Sequence, residues 1–140
     1  MDAKEYLEQA RFLNMRITAK LAQLEELEKV KSAEFKVQRA PAGAGTLSNI
    51  YEKIEGMQAE INRDIDELVD LTREITAVVR QVSRPEYQTL LELRYLCFWN
   101  WEKISMNLHI GNSRLFEIRQ CALKEISRIL AESEETAESI

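Results

Sequence analysis

One apolar seam constrains what this chain can fold into more than any other feature. Leu47, Ile50, Ile54, Met57, Ile61, Leu68, Leu71, Ile75, Val78 and Val82 alternate at three- and four-residue steps over five heptads. That spacing lays a single stripe along an α-helix. At about 1.5 Å per residue, a helix over 47–82 is roughly 54 Å long. One stripe on so long a helix cannot be buried against itself, so a partner helix has to cover it. Asp64 alone breaks the seam, with Ile65 beside it as a partial substitute. A polar residue there suits a register device that penalises misaligned pairing.

Residues 3–37 offer the partner. Tyr6, Ala10, Leu13, Ile17, Leu21, Leu24 and Leu27 form another stripe. The segment RAPAGAGT then interrupts it, because Pro41 lacks an N–H donor and Gly43 and Gly45 add slack. Residues 1–83 are therefore expected to form an antiparallel, coiled-coil-like helical hairpin with its loop at 38–46. A second copy of the chain is the other possible cover, and the two together would make a bundle. A homo-oligomer (a dimer) through helices 3–37 and 47–82 is expected. Four Gly and two Pro, with 45% hydrophobic and 31% charged residues, also favour helices over sheets. The apolar runs fall far short of the roughly 20 residues that cross a membrane. MDAKEYLEQARFL carries acids and no apolar core, so no secretory signal is expected. Cys97 and Cys121 form no CxxC pair, which leaves the cytoplasm as the expected compartment.

Arg84-Pro85 opens a different pattern, since proline fits the first turn of a new helix and Glu86 suits its positive end. Tyr87, Leu90, Leu91, Arg94 and Tyr95 form a short helix. After LCFWN, Asn100 is a good N-cap for a second helix with Trp101, Ile104, Ser105 and Leu108 along one face. His109-Ile110-Gly111 makes a turn. A third helix from about Asn112 to Leu130 follows, with Leu115, Ile118, Ala122, Leu123, Ile126 and Ile129 inward.

A helix-turn-helix frame with Ser105 at its fifth place fits this segment. Its apolar places four, eight, ten, fifteen and eighteen are Ile104, Leu108, Ile110, Leu115 and Ile118, and Ser105 is small where the helices cross. The ninth place prefers Gly for a positive φ and holds His109, a residue that tolerates that conformation better than most. The fold class expected is all-α: a long N-terminal hairpin, a three-helix unit at 84–130, and an acidic, disordered tail at 131–140.

The net charge of −5 is unevenly spread. Residues 1–83 hold 12 Lys/Arg against 15 Asp/Glu, residues 84–130 hold 7 against 5, and the tail has four Glu. The one net-positive segment is the three-helix unit, where a DNA contact would fall. His109, the single histidine, has no neighbouring nucleophile, and no enzyme activity or cofactor is expected. Asp64, Asp66, Glu67 and Asp70 lack the Gly and loop of a calcium site and read as a solvated surface, so no metal is expected. Trp101 is expected in the core, and Phe98 and Trp99 are expected to pack over the first short helix, with a sticky patch for RNA polymerase as the alternative.

ELRY-LCFWN-WEKI-SMNLHI-GNSRLFEI-RQCALKEI is similar to region four of bacterial sigma factors. The whole chain, through EINRDIDELVDLTREI and RPEYQTLLELRYLCFWNWEKI, resembles the ArpU-like transcriptional regulators of Gram-positive phages and prophages, a family of largely unknown function. Ser105, His109 and Gly111 depart from the usual Ala, Gly and Ser. The resemblance implies a phage-type DNA-binding regulator with promoter or operator duplex as its partner. On that reading Asn112, Ser113, Arg114, Phe116, Glu117 and Gln120 face the bases, and Lys103, Arg119 and Lys124 contact phosphates. The alternatives are an adaptor that docks on RNA polymerase or a phage protein without binding DNA, and a small DNA-packaging subunit.

Overall fold

The computed structural model describes residues 1–37 and 44–138, with side chains for 1–33 and 48–136. Every regular element among the described residues is helical, so the protein is all-α. The elements are α1 (Ala3–Val37), α2 (Ala44–Val79), α3 (Pro85–Leu91), a π-helical turn (Glu92–Leu96), α4 (Trp101–Leu108) and α5 (Asn112–Glu138). They fall into two compact units, one of Met1–Phe12 with Val69–Ile140 and one of Leu13–Leu68.

The unit Leu13–Leu68 is built from α1 and α2 alone. Leu13, Ile17, Ile50, Ile54 and Ile61 are buried, as their spacing predicts. Leu21 departs from its stripe and is 48% exposed. The reason lies one residue earlier. Asp64 is buried in the seam of α2, and Lys20 turns inward to meet it, its Nζ donating to Asp64 Oδ2 at 2.7 Å. With Lys20 facing in, Leu21 faces out. Around this contact Arg16 pairs with Asp64 at 3.6 Å and with Glu67 at 3.7 Å, and Lys20 pairs with Glu60 at 3.6 Å. Nearer the other end, Lys31 lies 5.0 Å from the Tyr51 ring centroid. Partners on α2 fall in number as those on α1 rise, so the two segments run antiparallel. Helix α2 begins at Ala44, before the expected Leu47, and ends at Val79, before the expected Val82. Of the loop expected at 38–46, residues 38–43 lie outside the described residues.

The other unit gathers the start of α1 and the end of α2 with α3, α4 and α5. The division expected at 83/84 is therefore not where the compact units part. Ala3, Leu7, Ala10, Ile75, Val79 and Val82 are buried in this unit together with Leu90, Leu91, Tyr95, Ile104 and Ile126. Asp2 caps α1, its Oδ1 accepting from the Glu5 N–H at 2.8 Å. Pro85 holds Arg84 extended (φ −96°, ψ 127°) and starts α3. Glu125 of α5 reaches back to accept the Ser83 N–H at 2.7 Å, and Gln88 donates to the Val82 carbonyl. These bonds fix the bend between α2 and α3. Helix α5 continues to Glu138, so the segment expected to be disordered at 131–140 is helical through 138. Its Ala and Glu are good helix formers with no Gly or Pro among them, and Arg128 pairs with Glu132 at 2.9 Å across one turn.

The Lys20 hydrogen bond holds the Asp64 carboxyl below its ordinary value of 3.8. A carboxyl lowered in the fold stabilises it fully above the unfolded value and stops doing so as pH falls through the folded one. Urea midpoints followed from neutrality to about pH 2 should therefore fall less steeply in Asp64→Asn than in the parent chain. Superimposable acid limbs would show that this pair contributes nothing to pH-dependent stability.

Candidate nucleic-acid interface

The corner between α4 and α5 is set by four residues. Asn100 is extended (φ −75°, ψ 162°), and its Oδ1 accepts the Lys103 N–H at 2.8 Å, which starts α4. After the eight residues of α4, His109 adopts the left-handed conformation (φ 54°, ψ 43°) and ends it. The His109 N–H and the Ile110 N–H both donate to the Ser105 carbonyl, the latter at 3.2 Å. The Ser105 hydroxyl in turn donates to the Ile110 carbonyl. Serine in place of alanine thus ties α4 to the turn with a bond that a methyl group has no means to make. Gly111 has no positive φ, and a Cβ added there would meet open space, so the turn does not require glycine at 111.

Below the corner, Ile104, Leu115, Ile118, Ala122, Ile126 and Ile129 are buried as predicted. Leu108 and Ile110 are half-buried and, with Glu86, Leu90 and Ile118, line a cleft of about 230 Å³. Above it, all six expected base-reading residues are exposed: Asn112, Ser113, Arg114, Phe116, Glu117 and Gln120. They share the outer face of the first turns of α5, whose first turn contains no acid. Arg114 stands between two carboxylates, 3.8 Å from Glu86 and 3.6 Å from Glu117. Lys103 and Lys124 are exposed, and the Lys103 ammonium lies 4.1 Å from the Trp99 ring centroid.

Arg119 does not join them. It is half-buried, with its guanidinium 4.7 Å from the Trp101 ring centroid and its Nε buried without a partner. Next to the buried Ile118 on α5, position 119 turns toward Trp101. Trp101, expected in the core, is half-buried. Arg94 also lies over its ring, at 4.8 Å.

Arg94 is the residue that the sequence reading passes over. It is 9% exposed, and its Nη1 donates to the Trp99 carbonyl at 3.0 Å. Burial, and after it the nearby Arg11, pushes its guanidinium below the ordinary value. The signal was a charged residue on the inward stripe Leu90, Leu91, Arg94, Tyr95. The π-helical turn had no such signal. It ends where Phe98 takes a positive φ of 62° and the Trp99 N–H donates to the Leu93 carbonyl at 3.0 Å. Among the described residues no group of three or more His, Cys, Asp or Glu is arranged to hold a metal ion, and no helix is long and apolar enough to cross a membrane.

These features define a class: an all-α protein in which a short helix and a longer one meet at a serine-tied corner that leaves the start of the longer helix open. The chain belongs to the family described as protein of unknown function DUF1492, which it matches over residues 23–127. No curated protein and no solved structure matches it.

The left-handed turn makes an ordered prediction. His109→Gly should raise the free energy of unfolding by up to about 1 kcal/mol, and His109→Val should lower it by about 1–2 kcal/mol, in denaturant melts. Equal stability of the two variants would show that the turn relaxes to another conformation.

Proposed function

We propose that the protein is a non-enzymatic, phage-type transcriptional regulator that binds duplex DNA through the first turns of α5. One observation carries the reading: the His109 corner leaves Asn112, Ser113, Arg114, Phe116, Glu117 and Gln120 together on an uncovered helix face. A helix start with no acid in its first turn presents free N–H groups and a positive dipole end to a phosphate. Arg114 has the bidentate geometry for guanine, Asn112 and Gln120 suit adenine, and Glu117 suits the cytosine amino group. Lys103 and Lys124 are the exposed phosphate contacts, with Arg119 half-buried behind them against Trp101. The host bacterial cytoplasm is the compartment for this function. Self-association belongs to α1 and α2, where Met15, Leu21, Tyr51 and Ile65 in the unit Leu13–Leu68 are exposed apolar side chains for a second copy to cover. Two linked heads gain affinity through effective concentration.

A second reading has its own support. Met106 is 69% exposed and Phe116 is 59% exposed, and Arg114 is already engaged by two acids. Such a surface suits an adaptor that docks on RNA polymerase or a phage protein.

Selection from random-sequence duplexes, followed by titration at several salt concentrations, distinguishes the two. Arg114→Ala should cost about tenfold or more in affinity for the selected site and relax its sequence preference. Lys124→Ala should weaken all duplexes alike and reduce the salt slope by about one. Failure to retain any duplex at low salt would overturn the DNA reading in favour of the adaptor.

A further inference from the structure

Donors without acceptors gather at one place in the unit Met1–Phe12 with Val69–Ile140. The guanidiniums of Arg94 and Arg119 lie over the same indole, Trp101, at 4.8 and 4.7 Å. Three buried polar atoms without hydrogen-bond partners belong to this group: Arg94 Nε, Arg119 Nε and the Tyr95 hydroxyl. The hydroxyl lies beside the Arg119 guanidinium without reaching hydrogen-bond geometry. Each guanidinium carries five N–H donors. The acceptor they meet is the Trp99 carbonyl, taken by Arg94.

The charge is equally unbalanced. Arg11 of α1 lies close enough to disfavour the charged form of Arg94. Glu8 is the carboxylate whose field reaches Arg94 and Tyr95. Among the described residues it forms no ion pair with any of the three arginines. Three cations against the Glu8 carboxylate leave an excess of two positive charges around a side chain that is 9% exposed. A buried cation without a counter-charge is strongly disfavoured, and the aromatic face offsets only part of that cost. A guanidinium held over a ring also keeps the N–H donors at its rim available in one plane.

We propose that Arg94, Arg119 and Tyr95, gathered at Trp101, form a binding site for a dianionic phosphate group. Tetrahedral oxygens supply the missing acceptors, and a phosphate or its monoester carries close to the two charges needed. A phosphodiester carries one and fits less well. The site is separate from the outer face of α5, and the inference does not depend on the DNA reading.

The test uses the full chain, with inorganic phosphate replacing chloride at constant ionic strength. Tryptophan fluorescence and the thermal midpoint are followed together. The parent protein should show a saturating change in both. Arg119→Gln should weaken the apparent affinity about tenfold or more, and Tyr95→Phe about threefold. If Arg119→Gln fails to fold, Tyr95→Phe carries the comparison. A parallel titration uses duplex DNA without terminal phosphates, and Tyr95→Phe is expected to leave the duplex response unchanged. The proposal is overturned by a linear phosphate response equal in all three proteins, which is the general stabilisation that excluded salts give. It is overturned as well if the duplex produces the saturating response and phosphate does not, which would assign the arginines to a nucleic-acid backbone.

Discussion

The seam of α2 has to be covered, and a single carboxylate inside it decides how. An apolar stripe alone is satisfied by several registers, because sliding one helix by a heptad restores most contacts. Asp64 removes that freedom. A carboxylate at 8% exposure needs a cation, and Lys20 meets it at 2.7 Å while Arg16 adds a longer contact. Shifting α1 by one heptad in either direction puts Leu13 or Leu27 opposite Asp64 in place of Lys20. The ionic contact is thus worth more as a specification of register than as a source of stability, since exposed pairs around it contribute little.

The corner between α4 and α5 uses a second kind of constraint, one of backbone conformation. His109 sits where a side chain is disfavoured, and Ser105 compensates by accepting two N–H groups at its carbonyl and donating its hydroxyl to Ile110. These two departures from the sigma-like pattern are therefore joined by hydrogen bonds, one within α4 and one at its C-terminal end. Gly111, the third departure, leaves the first turn of α5 without a side-chain cap and without an acid. The uncovered donors at that end are what make the face suitable for an anionic partner.

Much of this was legible in the sequence, because periodicity reports which face is apolar. Ile50, Ile54, Ile61, Ile75, Ile104, Leu115 and Ile118 are buried where their spacing placed them. The cap at Asn100 and the positive φ at His109 followed from residue type and position. What periodicity does not carry is a partner's demand. Leu21 belongs to a stripe but loses its place to Lys20, because the need arises on another helix. Arg119 reads as a surface cation until Trp101 is found beside it. The π-helical turn over Glu92–Leu96 has no composition signal, although Arg94 and Tyr95 keep their places on the inward stripe. Charge alone predicts disorder for the acidic end, yet its Ala and Glu residues, with a basic residue one turn earlier, continue a helix readily.

The two carboxylates flanking Arg114 have a consequence for discrimination. An arginine that already has acceptors on either side gives them up only for a better one. On the proposed reading, Glu86 and Glu117 act as resident competitors. They raise the threshold for a lone backbone phosphate more than for the two-pronged edge of a guanine. A weakly basic head can in this way ignore most of a genome without needing a large positive field.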